Sequence, residues 1–320
     1  GSFHQTGFFV DEAGRGGATF TRSIRKLFVN GEVRDVGYLA NARVRPEFRG
    51  STLVFRGYKE LEKLHRDGRS PFYLSTFLDG NKIVIDLLTS ARASLPTYHQ
   101  VSRLNCYSML LGKRYDTNSK LELRRGSDEM LPDIVDCLNR NNQRRQFAPY
   151  WRVEDFAGES KLTRGLSCED FVVACRAGKV VGVLAKWDQG GFKQMTLLRY
   201  NLSMKAVKLL WNFVMPRLGY SSLPEVGEGF ELFFAALPAV DEDDLEVFSD
   251  LLKTLLNQNA KGDYLCCVLG LCEGSPFGEI ASSFLNFTYA SRLYVVTWKD
   301  GEAAFDRLDG RQAYVELATL

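Results

Sequence analysis

One order of elements occurs twice in this chain, and that repeat limits the architectures open to it more than any other feature. From residue 36 to 111 the apolar pattern reads as strand, helix, strand, helix, strand. From 231 to 298 the same order returns. Strands are expected over 231–237, 264–271 and 292–298, with helices over 245–259 and 277–287. Strands separated by helices predict mixed α/β layers, and the recurrence reads as an internal duplication. A chain of 320 residues also exceeds one ordinary core. Two modules follow, residues 1–115 and 121–320, each a mixed sheet flanked by helices, with the polar stretch 112–120 as linker.

Local signals fill in each module. Residues 18–28 alternate and lead to Asn30-Gly31, a pair suited to a type I′ hairpin turn, with the return strand running through Val36, Tyr38, Ala40 and Val44. Leu53, Val54, Tyr58, Leu61 and Leu64 take helical spacing before Gly68, a C-terminal cap. Residues 71–78 (PFYLSTFL) are a strand, Asn81 is placed to open the next helix, and 98–111 is extended. In the second module, 121–123 is a short strand. Ser127 precedes a helix bearing Leu131, Ile134, Val135 and Leu138, and a hairpin turns at Ala177-Gly178. Residues 203–218 form an inserted amphipathic helix; the flank of the first module is expected to be covered by the second module or by this helix, through Val207, Leu210, Trp211 and Val214.

Bulk properties exclude several functions. A net charge of +2 lacks the basic surplus of a nucleic-acid binder. Seven cysteines, an odd number without a CxxC pair, and only His4, His65 and His99 argue for reduced, buried thiols and against a metal site. No apolar run approaches the ~18 residues that span a bilayer, and no signal peptide is visible. A cytoplasmic protein with no membrane partner is therefore expected. Gly1 and Ser2 look like a cloning remnant.

The segment with chemical potential is Arg49-Gly50-Ser51-Thr52, between a strand and the first turn of a helix. Backbone N–H groups at a helix start lack internal partners and, with the dipole, favour an anion. Gly50 permits close backbone approach, and Arg43, Arg45 and Arg49 add positive charge, so a pyrophosphate suits this place. The same residues also read as a capped surface helix beside three solvated arginines, and both readings stand.

VGYLANARVRPEFRGSTLVFRGYKEL (residues 36–61) resembles the GNAT superfamily of acyl-CoA-dependent N-acyltransferases, in which a strand ends in V-x-P-E-[YF]-R-G before the helix that binds the cofactor pyrophosphate. LELRRGSDEMLPDIVDCL and VACRAGKVVGVLAKW resemble that family's opening strand and helix and its next hairpin, so the likeness extends over most of the chain as two tandem GNAT-like modules. The resemblance implies that Val44, Arg45, Arg49, Gly50, Ser51 and Thr52 bind acetyl-CoA or another acyl-CoA. Asn81 matches the Asn of the family's N-x-x-A, although Val84 stands for its small residue. At the two later small positions of the family loop stand Thr52 and Val54, and the first module lacks the family's opening strand and two helices. Leu88 replaces the tyrosine that protonates the leaving thiolate in many members, with Tyr98 as the candidate to take its place or, alternatively, a core tyrosine. The backbone donor to the thioester oxygen is expected around Val44, and no base is assigned.

In the second module the corresponding positions are Pro238-Ala239-Val240-Asp241-Glu242-Asp243-Asp244. Carboxylates at that helix start would repel a pyrophosphate, so this module is expected to bind no cofactor and to support the first. The implied function is transfer of an acetyl or other acyl group from CoA to an amine of a small molecule or peptide. The alternative is a non-catalytic CoA- or acyl-carrier-binding scaffold or sensor.

Overall fold

Asn30 and Gly31 both take positive φ (53° and 80°) and reverse the chain within two residues. They join two strands of a hairpin that an edge strand extends: β1 (Phe3–Val10) pairs with β2 (Gly16–Val29), and β2 with β3 (Glu32–Val44), all antiparallel. The structure is a computed structural model that describes residues 3–10, 14–90, 95–117, 121–156, 160 and 162–320. Gly1, Ser2 and positions 118–120 of the expected linker lie outside them.

The first half continues through α1 (Leu53–His65), β4 (Tyr73–Leu78), α2 (Lys82–Leu88) and β5 (Thr97–Leu110). The second opens with β6 (Glu122–Arg125), α3 (Leu131–Asn142) and the hairpin β7 (Phe171–Arg176) and β8 (Lys179–Asp188), which turns on Ala177 and Gly178 at φ 50° and 78°. After the inserted α4 (Leu202–Val214) come β9 (Leu232–Val240), α5 (Leu245–Gln258), β10 (Cys266–Cys272), α6 (Gly278–Ser282), β11 (Asn286–Thr297) and α7 (Glu302–Phe305). The repeated order is present in the topology: β3 runs parallel to β4 across α1, as β9 runs parallel to β10 across α5.

The halves do not form two separate sheets. All eleven strands join one mixed sheet in the order β1-β2-β3-β4-β11-β5-β10-β9-β8-β7-β6. At its centre the third strand of each repeat crosses over: β11 lies between β4 and β5, and β5 lies between β11 and β10. The 277–287 segment departs most from expectation. Its helix stops at Ser282, and Asn286 already belongs to β11, which runs to Thr297 because it has a long partner in β5.

Helices cover both faces. Val173 and Val183 point to the side covered by Ile134 and Leu138 of α3, while Val172 and Leu184 meet Val247, Leu251 and Leu255 of α5. Alternate residues of β7 and β8 thus enter opposite cores, each fully buried side chain contributing roughly 2 kcal/mol. All seven cysteines are buried and unpaired. In the first half, Arg22 is wholly buried yet satisfied. Its guanidinium grips Asp67 at 2.7 and 2.8 Å and Tyr73 Oη at 3.0 Å, locking the end of α1 to β2 and β4. This clamp fixes the helix whose other end faces the site.

Candidate functional site

β3 and β4 pair only at Gly37↔Tyr73 and Tyr38↔Leu74 and then diverge. Two side-chain bridges hold the base of the wedge: Ser75 Oγ donates to the Leu39 carbonyl (3.0 Å), and the Tyr38 and Thr76 hydroxyls lie 2.8 Å apart. Further along β3 the register against β2 shifts, and Asn41 takes φ 53°, a left-handed conformation that Asn tolerates better than branched residues. From Asn41 to Arg43 the strand is exposed, and Val44, its last residue, is half-buried.

The loop sits where β3 meets α1. Pro46–Phe48 make one 3-10 turn, Arg49 is extended, and Gly50 has φ 78° with open space where a Cβ would project. Ser51 Oγ donates to the Phe48 carbonyl (2.6 Å) and accepts the Leu53 N–H (3.3 Å). Thr52 precedes the helix without capping it. Among the described residues, the N–H groups of Gly50, Thr52 and Val54 meet no acceptor within the protein. Arg43 and Arg49 are exposed without a carboxylate partner among the described residues, and Arg45 lies 3.9 Å from Glu47. Asn81 opens α2 at the end of β4, beside the same mouth, and its side chain also makes no cap bond. The loop, Val44 and Asn81 thus flank one opening at the carboxyl ends of two parallel strands.

Tyr98 is elsewhere. It lies in the aromatic core among Phe77, Tyr58 and Tyr294, with its hydroxyl 2.5 Å from that of Tyr58. Burial pushes its phenol well above the ordinary range. That environment makes it a structural residue with its hydrogen bond already spent.

The second wedge, between β9 and β10, differs in two respects. Leu237 occupies the place of Asn41, with φ 58° at the same kind of register shift, and Val240 ends the strand as Val44 does. The connection to the helix is shorter, however: residues 241–244 stand where 45–52 stand in the first half. Asp244 caps α5 itself, accepting the N–H groups of Glu246 (3.0 Å) and Val247 (3.2 Å). Asp241 binds Arg140 and Asn141, Asp243 binds Arg144 and Arg145, and Asp244 also meets Arg176. The acidic run is therefore largely neutralised. An internal carboxylate, that of Asp244, already holds the helix start.

The wedge is also filled. Residues 316–318 enter between β9 and β10. Glu316 is buried and accepts the Leu237 N–H (2.7 Å), the Tyr314 hydroxyl (2.6 Å) and the Ala318 N–H (3.0 Å). Leu317 packs so closely that a Cβ on Gly270 would lie 2.5 Å from its own. Nothing in the sequence reading assigned this segment. The available signal was a lone glutamate amid Tyr314, Val315 and Leu317.

Burial raises the Glu316 carboxyl above the usual carboxylate range, only partly offset by those donors and by the charge of Arg25. A raised folded-state pKa stabilises below the unfolded value and is lost as pH rises through the folded one. Glu316→Ala should lower stability by about 3 kcal/mol, since three buried donors lose their acceptor. It should also remove this alkaline-side loss. Urea titrations at several pH values provide the check, and a variant as stable as wild type would show that the tail does not hold the wedge.

No protein-family model matches the sequence, and no curated protein matches it. Solved structures do. A GCN5-related N-acetyltransferase from Sphaerobacter thermophilus matches with TM-score 0.56 at 12% identity, over 91% of this chain and 80% of that one. Saccharomyces cerevisiae N-myristoyltransferase, solved with bound myristoyl-CoA, matches with TM-score 0.58 at 12% identity, over 89% of this chain and 64% of that one. This chain has their fold.

Proposed function

We propose that this chain is an acyl-CoA-dependent N-acyltransferase of two tandem modules, residues 1–115 and 121–320, with one working cleft between β3 and β4. The observation that carries the reading is the asymmetry of the two wedges. One is open and ends in an uncapped, arginine-flanked helix start; the other is stoppered by Glu316 and capped by Asp244. The fold neighbours, an N-acetyltransferase and an N-myristoyltransferase by their own descriptions, support the reaction class.

In this reading the N–H groups of Gly50, Thr52 and Val54 hold the pyrophosphate, with Arg45 and Arg49 supplying charge and Ser51 shaping the turn. Val44 and Asn81 border the arm that runs into the wedge. The Leu237 N–H points into the second wedge and meets a carboxylate there. By correspondence, the Asn41 N–H faces the first wedge and donates to the thioester oxygen as charge develops on it. This moves the donor from the neighbourhood of Val44 to the bulge. A neutral amine attacks the thioester carbon; the C–N bond forms, the C–S bond breaks, the amine proton passes to solvent, and the thiolate leaves as CoA. The acceptor is a small-molecule or peptide amine, and acetyl-CoA is the first donor to try. Unpaired cysteines fit a reducing, cytoplasmic setting.

One observation favours the non-catalytic CoA- or acyl-carrier-binding alternative: with Tyr98 in the core and Leu88 in α2, neither position offers an acid to the thiolate. Thermal-shift titration with acetyl-CoA, CoA and longer acyl-CoAs, followed by free-thiol release with an amine panel, separates the two. Stabilisation with thiol release is expected. Stabilisation without release selects the scaffold, and no stabilisation sinks both.

A further inference from the structure

The inserted helix α4 is mounted inside out. Two of its polar residues, Lys208 and Asn212, face the protein. Asn212 exchanges two hydrogen bonds with the backbone of Leu223 (3.1 and 2.8 Å), Lys208 is largely buried against Glu225, and Trp211 donates to the Ser221 carbonyl. Its apolar stripe faces out. Leu202, Leu209 and Phe213, spaced to share one face of the helix, are 86%, 77% and 65% exposed, with Leu210 beside them and Leu198 and Leu218 at the two ends. A surface helix ordinarily turns the opposite way. Of the two sources of cover expected for the first module, this helix fails for the same reason: Val207, Leu210 and Val214 are exposed, and of its four named residues only Trp211 packs on the core. The second module shares the first module's core.

Charge indicates what would lie against it. No Asp or Glu occurs between Asp188 and Glu225, whereas Lys193, Arg199, Lys205, Lys208 and Arg217 do. This insertion carries five of the chain's cations, although the whole chain is only +2. Arg199, Lys205 and Arg217 are exposed around the apolar stripe. A second copy docked stripe to stripe would set Arg199, Lys205 and Arg217 against their own kind, and Glu225, the first carboxylate after this stretch, already pairs with Lys208.

We propose that α4 and its flanks dock this protein on an anionic lipid surface, the helix lying in the plane of the interface with Leu202, Leu209 and Phe213 among the acyl chains and Arg199, Lys205 and Arg217 at the headgroups. Among the described residues no helix is long and apolar enough to cross a membrane, so the association is peripheral. It is independent of the acyl-transfer reading.

The test is co-sedimentation of the full chain with vesicles of phosphatidylcholine alone and with 30% phosphatidylglycerol, the latter at about 0.1 and 0.5 M salt, between which the screening length roughly halves. Binding to the anionic vesicles is expected, falling at least fivefold with salt and at least tenfold in the double variant Leu209→Glu/Phe213→Glu. Both sites are exposed, so the variant's melting temperature should stay near wild type, which distinguishes lost docking from lost folding. Three outcomes overturn the proposal: no binding to anionic vesicles, equal and salt-insensitive binding to neutral ones, or a lipid-free dimer that the double variant converts to monomer. The last would make a second copy the occupant.

Discussion

Thr52→Asp should weaken acyl-CoA binding tenfold or more while leaving the fold as stable as before or slightly more so. The substitution gives α1 what α5 already has. A carboxylate at that place accepts the N–H groups of the first turn, as Asp244 accepts those of Glu246 and Val247. An N-cap aspartate is worth about 1 kcal/mol to a helix, so the melting temperature should hold or rise. The same carboxylate takes the donors proposed for the pyrophosphate and adds a like charge beside it. Affinity should fall tenfold or more, equivalent to about 1.4 kcal/mol or more. Gly50→Val tests the neighbouring position by a different route. Its φ of 78° penalises any branched side chain although the space is open, so weakening there would come from a rearranged loop more than from a direct clash. Calorimetric titration and thermal melts of Thr52→Asp decide the matter. An unchanged dissociation constant would remove the helix start from the site.

Residues 1–115 expressed alone should not fold. Both neighbours of β5 in the sheet, β10 and β11, come from the second half, and β4 loses β11 as well. The core beneath them is shared: Leu27, Val36, Leu74 and Leu104 pack with Phe147, Leu293, Val295 and Val315. Backbone bonds add to this, Phe28 and Phe147 exchanging with each other's neighbourhood at 2.8 Å in both directions. A fragment stripped of these partners keeps its entropy cost and loses most of its compensation. Circular dichroism should show no cooperative melt, with aggregation from the exposed strand edges. A soluble fragment that melts cooperatively and binds acyl-CoA as tightly as the whole chain would contradict the interlocked topology.

The order of elements was legible because its signals are local. Asn30-Gly31 and Ala177-Gly178 announce their turns through positive φ, and the 3.6-residue spacing of Leu53 to Leu64 marks α1. The interlocking of β5 and β11 was not legible, since each strand's apolar pattern says that it is buried without saying beside whom. For the same reason β11 reads as about half its length: Asn286 and Phe287 pass for a helix end and 288–291 for its connection, until a long partner is in view. At the site, the arginine-glycine loop was visible as a pattern, and the structure adds its uncapped N–H groups. The Asn41 bulge and the Glu316 stopper were hidden. One is a backbone conformation, and the other depends on a contact between residues 237 and 316 that no spacing encodes. The inverted mounting of α4 was hidden as well, because an amphipathic pattern does not say which face turns inward.

The central claim is that one wedge binds acyl-CoA and the other cannot. Hydrogen–deuterium exchange with and without saturating acetyl-CoA tests it most directly, because both wedges are read in one experiment. Slowed exchange is expected over residues 39–55, covering the end of β3, the loop and the first turn of α1, with residues 237–248 unchanged. Protection over 237–248, or in neither segment, would contradict it.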